Sequence, residues 1–232
     1  MVDGDGVIEL PNDEAHHLRD VLRLGSGAEV QVFDGRGHEW AGLVEVVSRA
    51  GARVRLGQAL TPVPEPDVAV TLAVGVLTGD QFDEVVRDAT MLGVTRIVPM
   101  ATDHVTVPKR ARGPQSLDRW RRIAIASVKQ CGRAVVPDIA PVASFAEVLG
   151  GSPARKVMCV EPAIAGALAI AAAGSKAPAV TLLIGPEGGW SSGEVAEAAR
   201  AGATLVHLGP RTLRAERAPV VALSALWTLW GW

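Results

Sequence analysis

The 232-residue sequence predicts an α/β fold: a domain built on a mostly parallel sheet, preceded by a small β-rich domain. Three observations carry this. The first 60 or so residues read as short strands with tight turns. The segment TPVPEPD (61–67), with three prolines and two acids, reads as a linker. Beyond it, continuous apolar runs alternate with helical periods, as expected when strands of a parallel sheet are joined by helices.

In the first part, HHLRDVLRL (16–24) places Leu18, Val21 and Leu22 on one helical face and is ended by Gly25. VQVF (30–33) runs into DGRG (34–37), a hairpin signal, and EWAGLVEVV (39–47) alternates well enough to return as a second strand. RVRLGQAL (53–60) gives a third. A small barrel or sandwich is the natural home for such strands.

After the linker, VAVTLAVGVL (68–77) is apolar throughout, the mark of a strand buried on both faces. DQFDEVVRDATMLG follows with Phe82, Val85, Val86, Ala89 and Leu92 at helical spacing and Gly93 as the stop. TRIVPM (95–100), KVMCVEP (156–162), VTLLIG (180–185) and TLVHLG (204–209) read as further strands. SLDRWRRIAIASVKQCG (116–132), EVAEAARAG and the apolar C-terminal run read as helices.

Composition is that of a soluble globular protein, with 48% apolar and 21% charged residues, and a net charge of −2 gives no global attraction to polyanions. Charge is uneven, however. Residues 109–133 hold eight basic side chains against the single acid Asp118, whereas residues 1–67 hold six arginines and twelve acids. A solvated helix face accounts for any one of these; the run as a whole matches a phosphate backbone. Arg19 and Arg23, at i,i+4, offer an extension of such a patch from the small domain. Cys131 and Cys159 form no disulfide or metal-ligand spacing, so a cytoplasmic setting is expected, without a metal site. No stretch is apolar over enough residues to span a bilayer, so no membrane association is expected.

Two stretches invite chemistry. IGPEGGWSSGE (184–194) leaves a buried strand through glycines that expose bare backbone, at the edge where open α/β sheets bind ligands. Ser191 and Glu194 have capping-box spacing and need no other role; Gly185 to Gly189 stay unexplained by it. The loop is neither a Walker phosphate loop, lacking GK[ST], nor a GxGxxG dinucleotide fingerprint, and a plain glycine-rich connection is its bland alternative. LGPRTLRAE (208–216) leaves the following strand in the same manner and brings Gly209, Arg211, Arg214 and Glu216 to the last helix. Arg214 is either a surface charge at a helix start or, beside a site, a guanidinium that could stabilise anionic oxygen.

These residues resemble a known family. IGPEGGWSSGE followed by LGPRTLRAE is similar to the signature of bacterial methyltransferases that modify uracil N3 in 16S ribosomal RNA, members of the SPOUT class. HHLRDVLRLGSGAEVQVFDGRG resembles the PUA-like N-terminal domain of that family, GDQFDEVVRDATMLGVTRIVPM its first strand, helix and strand, and RWRRIAIASVKQCGRAVVP its basic helix. The resemblance implies a PUA-like β-barrel RNA-binding domain over 1–64 and a SPOUT-type trefoil-knot domain over 68–232. It also implies a homodimer that methylates ribosomal RNA of the small subunit with S-adenosylmethionine.

On this chain the implied cofactor loops contain Glu161; Leu183, Ile184, Gly185, Pro186, Glu187, Gly188 and Gly189; and Leu208, Gly209, Arg211, Leu213 and Arg214. Arg214 would stabilise negative charge on the uracil oxygens, while Glu187 or Glu216 would orient the base or accept its proton. Arg19, Arg23, Lys109, Arg110, Arg122, Gln130 and Arg133 would meet RNA. Thr78 and Asp88 stand where the family usually has lysine, Met91 where it has glutamate and Arg217 where it has threonine. The resemblance also implies a short N-terminus without the opening strand. Two rivals remain at this level: a methyltransferase of the same fold acting on another RNA atom, such as a ribose hydroxyl, and a non-catalytic RNA-binding protein that kept the fold.

Overall fold

A computed structural model of the chain describes residues 6–105, 113–151 and 153–232. The chain divides into two compact units, Met1–Pro64 with Gly132–Val135, and Glu65–Cys131 with Val136–Trp232.

The first unit contains the strands β1 (Val7–Glu9), β2 (Glu29–Phe33), β3 (Glu39–Ser48) and β4 (Gly51–Leu60) in one antiparallel sheet of order β1-β4-β3-β2. The hairpin read at DGRG is present: Asp34 Oδ1 accepts from the amides of Arg36 and His38 at 2.7 and 3.1 Å, closing an Asx-type turn. Val44 and Val54 face a small core that Leu18 completes. β1 opens the described chain, where none was expected.

The N-terminal helix differs from the periodic reading. Helix α1 (Asn12–His16) starts earlier and passes into one π turn over His17–Val21, in which the Leu22 amide bonds back to the His17 carbonyl at 3.0 Å. That wider turn rotates the following residues, so of the three only Leu18 is buried, while Val21 and Leu22 are 60% and 52% exposed. The chain leaves the turn at Arg23, whose φ of +56° ends the helix before Gly25 is reached.

The second unit is built on an eight-stranded parallel sheet. Its strands are β5 (Ala69–Gly75), β6 (Arg96–Ala101), β7 (Asp138–Ile139), β8 (Ala143–Ser144), β9 (Arg155–Cys159), β10 (Leu168–Ala169), β11 (Ala179–Ile184) and β12 (Thr204–His207). They lie in the order β10-β12-β9-β11-β5-β6-β7, with β8 also paired to β6. Helices α2 (Gln81–Met91), α3 (Pro114–Cys131) and α6 (Ala218–Trp230) share one apolar cluster with Val70, Leu72, Val74, Leu182 and Ile184. On the other face α4 (Phe145–Gly150) and α5 (Ser192–Arg200) pack in a second cluster with Ala73, Met158 and Leu183. The strands alternate between two buried faces, which is why they read as continuous apolar runs.

This order decides where the loops go. β5 and β11 pair in register from Ala69↔Ala179 to Val74↔Ile184, and β9 and β12 continue beside them. All the paired strands are parallel, so the segments after β5, β6, β9, β11 and β12 emerge along one carboxyl edge. Among the described residues no helix is long and apolar enough to cross a membrane.

Candidate active site

At that carboxyl edge lies a cleft of about 340 Å³, within the range of small-molecule sites. Its walls come from the three segments that follow β9, β11 and β12, with Gln81 and Ala218 from the starts of α2 and α6.

The segment after β11 is fastened on three sides. Glu187 Oε1 accepts from both the amide and the hydroxyl of Thr78, each at 2.9 Å, which ties it to the segment after β5. Burial pushes the Glu187 carboxyl upward, but the bonds from the Thr78 amide, its own amide and the Thr78 hydroxyl outweigh it. The carboxyl is held below the usual value. Toward β6, His104 Nδ1 lies 2.9 Å from the Gly188 carbonyl and 3.2 Å from that of Gly189; two acceptors there require the proton on Nδ1. Toward β9, the indole N–H of Trp190 donates to the Cys159 carbonyl at 2.7 Å, and the Glu161 carboxylate lies against Gly189, whose φ is +68°.

The start of α5 reinforces this. Ser191 and Glu194 form the capping box, and Glu194, 4% exposed, also accepts the Asp103 amide at 3.0 Å. The Ser191 hydroxyl donates to Asp103 at 2.6 Å. The box is thus also a clasp on the segment after β6, a second role that local spacing did not signal.

In the segment after β12 the Arg214 carbonyl accepts the amides of Arg217 and Ala218 at 3.0 and 3.1 Å, forming the turn that opens α6. This leaves the Arg214 side chain exposed at the cleft, while Glu216 is only 5% exposed. Among the described residues neither side chain has a hydrogen-bond or ion-pair partner.

Most residues singled out from sequence come together here. Arg214, Glu187 and Glu216 all border the cleft, as do Glu161, Ile184, Gly185, Pro186, Gly189, Leu208, Arg211 and Leu213. Leu183, Gly188 and Gly209 do not. Leu183 faces the second core cluster, because its neighbour Ile184 faces the first and successive strand residues point oppositely. Gly188 is covered by His104, and Gly209 shapes the exit from β12 with φ +121°. Sequence reasoning missed the places of Gln81, Trp190, Thr78 and His104 at the site; among the described residues the buried Gln81 Oε1 has no hydrogen-bond partner.

The residues read as RNA contacts are less uniform. Lys109 and Arg110 lie outside the described residues. In the second unit Arg122 and Gln130 are exposed on α3. Their neighbour Arg119 is committed to Asp80 at 2.9 Å and to Asp83, so it is no free cation. In the first unit Arg23 is exposed, Arg19 is held by Asp20 at 2.5 Å and by the Ser48 carbonyl at 2.9 Å, and Arg133 is 7% exposed. A buried guanidinium such as Arg133 is poorly displayed for phosphate. Of the departures from the family pattern, Thr78 holds Glu187, and Arg217 pairs with Glu84 at 2.9 Å.

Among the described residues no group of three or more His, Cys, Asp or Glu is placed to hold a metal ion. A nucleoside with a cationic centre suits this cleft better: bare glycine backbone lies on one wall, carboxylates border it, and the buried Gln81 oxygen lacks a donor among the described residues. Burial raises the Cys159 thiol to about 12, so that sulfur is no nucleophile.

Comparison with known proteins follows the same division. Residues 64–227 match a family model described as an RNA methyltransferase domain, and residues 10–57 match an RNA methyltransferase PUA domain. The chain is 32% identical over 226 residues to a Ribosomal RNA small subunit methyltransferase E from Synechocystis, covering 96% of this chain and 73% of the relative. It is 31% identical to the protein of the same name from Mycobacterium tuberculosis, covering 99% and 89%. Its fold superposes, with a TM-score of 0.84 and 30% identity over 97% and 92% of the chains, on the Neisseria gonorrhoeae Ribosomal RNA small subunit methyltransferase E bound to S-adenosyl methionine. A Legionella pneumophila methyltransferase in complex with the same cofactor gives a TM-score of 0.85 at 27% identity, over 96% and 91%.

Proposed function

The chain belongs to this RNA methyltransferase family, whose model spans residues 64–227, and we propose that it methylates N3 of a uridine in small-subunit ribosomal RNA. The observation that carries the reading is the cleft itself. Three segments of one carboxyl edge converge there, with Arg214, Glu187 and Glu216 on its border, in a fold shared with cofactor-bound ribosomal RNA methyltransferases. S-adenosylmethionine, bound there, supplies an electrophilic methyl group on a sulfonium. The glycine backbone from Gly185 to Gly189 and the segment from Leu208 to Leu213 would hold it.

The chain's own residues must solve two problems. Uracil N3 is an imide whose lone pair is delocalised into both carbonyls, so its proton has to leave before or during attack. Arg214 is the group we assign to the negative charge that then develops on the uracil oxygens, and a cleft carboxylate is assigned the proton. Much of the remaining acceleration is alignment of nucleophile and methyl carbon, which the fastened segment after β11 favours by rigidity. Because N3 lies on the pairing edge, the uridine has to be unpaired or turned out of its stack. The first unit, with Arg23 exposed, and the exposed α3 face with Arg122 and Gln130 are assigned to RNA. Exposed Val221 and Leu229 on α6 and the nearby Trp232 support pairing of two copies, which sedimentation measures.

The test is transfer of labelled methyl to small ribosomal subunits that lack the modification, followed by mass spectrometry of the nucleoside. N3-methyluridine is the expected product; a 2′-O-methyl nucleoside would move the reaction to ribose. Arg214→Ala should abolish transfer with cofactor affinity unchanged within about threefold, since the side chain is assigned to charge that develops only during reaction.

A further inference from the structure

The two carboxylates assigned jointly to the uracil differ sharply in what already occupies them. Glu187 Oε1 is filled by the amide and hydroxyl of Thr78, and those bonds hold the carboxylate as a weak proton acceptor. Its role is to fix the segment after β11 against the segment after β5. Glu216 is the opposite case. It is 5% exposed, borders the cleft, and among the described residues accepts no hydrogen bond and forms no ion pair. Its oxygens are therefore open to accept a donor brought by a molecule that enters the cleft. It stands two residues from Arg214, so an acceptor-only group and a donor-only group are carried by one short segment.

We propose that Glu216 accepts the N3–H of the target uracil, selecting uracil over cytosine and then taking the proton, while Glu187 acts only as a positioning residue. This rests on the methyltransferase reading above. Uracil presents a donor at N3 between two acceptor carbonyls, which complements a carboxylate beside a guanidinium. Cytosine presents a bare lone pair at N3, which a carboxylate repels. In the chemical step the N3–H bond breaks and its proton goes to the Glu216 carboxylate. The freed pair forms the N3–C bond, and the methyl–sulfur pair stays on sulfur as a neutral thioether. The other charged groups of the cleft are Glu161, Glu187, Arg211 and Arg214, and the adjacent Arg217 is occupied by Glu84.

The experiment uses the full chain and Glu216→Gln, whose amide keeps the volume but can turn a donor toward the base. First, RNA fragments carrying uridine or cytidine at the target are bound in the presence of the unreactive product S-adenosylhomocysteine. Wild type should prefer uridine by about 10-fold to 100-fold, as for a hydrogen bond to a charged group, and Glu216→Gln should lose most of that preference. Second, single-turnover transfer by Glu216→Gln should fall at least about 100-fold at neutral pH and recover as pH rises, because uracil N3 ionises unaided in alkali. Glu187→Gln should be slower at every pH, with no alkaline recovery and an unchanged base preference. Circular dichroism and thermal melting of Glu216→Gln, compared with wild type, check that the fold is kept. Equal base preference in Glu216→Gln and wild type, or alkaline recovery in Glu187→Gln instead, would overturn the assignment. If wild type itself transfers no methyl to small subunits, the methyltransferase reading fails before the role of Glu216 is reached.

Discussion

Thr78 and Glu187 stand 109 residues apart in the chain, yet the amide and the hydroxyl of Thr78 both donate to one carboxylate oxygen of Glu187 at 2.9 Å. The pair joins the exits of β5 and β11, and the cleft inherits its shape from it. Thr78→Val deletes the hydroxyl bond and leaves the amide. Cofactor affinity, measured by calorimetry, should fall about 5-fold to 10-fold, corresponding to about 1 kcal/mol for a bond to a partly exposed charged group. An unchanged affinity would show that the amide alone positions the loop.

The same pair sets a pH dependence. Glu187 is held below its ordinary value in the folded chain, so its contribution to stability is present above the unfolded carboxylate range. It is lost as pH falls through the lower folded value. The melting temperature of wild type should therefore exceed that of Glu187→Gln at neutral pH, with the gap closing on acidification. A gap that widens in acid would contradict the sign.

Gly75 and Pro186 are a second contact between the same two exits. A Cβ at Gly75 would lie 2.7 Å from the Pro186 nitrogen, a backbone atom that has no rotamer by which to withdraw. Gly75→Ala should cost about 1–3 kcal/mol of stability as overpacking and should weaken cofactor binding more than Thr78→Val does. Denaturant titration and calorimetry on one sample check both.

Ser191 donates to Asp103 and caps α5, so Ser191→Ala removes a cap and a link between two segments at once. The expected loss is about 1–2 kcal/mol, which for a chain of this size lowers the melting temperature by roughly 2–8 °C. Asp103→Asn, which spares the cap, should cost less.

The basic residues of α3 should separate into two kinds. Arg119 is committed to Asp80 and Asp83, whereas Arg122 is exposed and, among the described residues, bonds only to the Asp118 carbonyl at 3.4 Å. Arg122→Gln should weaken RNA binding and reduce the slope of log affinity against log salt by about 0.7–0.9. Arg119→Gln should lower stability and leave that slope nearly unchanged.

Much of this was legible in the sequence because the signals are local. The β5 run Ala69–Gly75 reads as a strand since both its faces are buried, and the Ser191–Glu194 box reads as a helix start since its partners are three residues apart. The same box at Ser144 and Glu147 opens α4, a helix the periodic reading passed over because only six residues follow the cap. The N-terminal helix misled for a related reason. Periodicity assumes 3.6 residues per turn, and one π turn is enough to send Val21 and Leu22 to solvent.

The sequence by itself determined the α/β class, the two-part organisation of strands and helices, and the loops that carry Gly185–Gly189 and Arg214. Each depends on residues within a few positions of one another. The tertiary structure alone decided which of those residues share a cleft and what each is free to do. Sheet order is set by packing between strands far apart in the chain, and it is that order which brings Thr78 to Glu187 and Asp103 to Ser191. Two glutamates that look alike in sequence are distinguished only there: Glu187 Oε1 accepts two bonds from a distant segment, while Glu216, buried at the cleft, accepts none among the described residues.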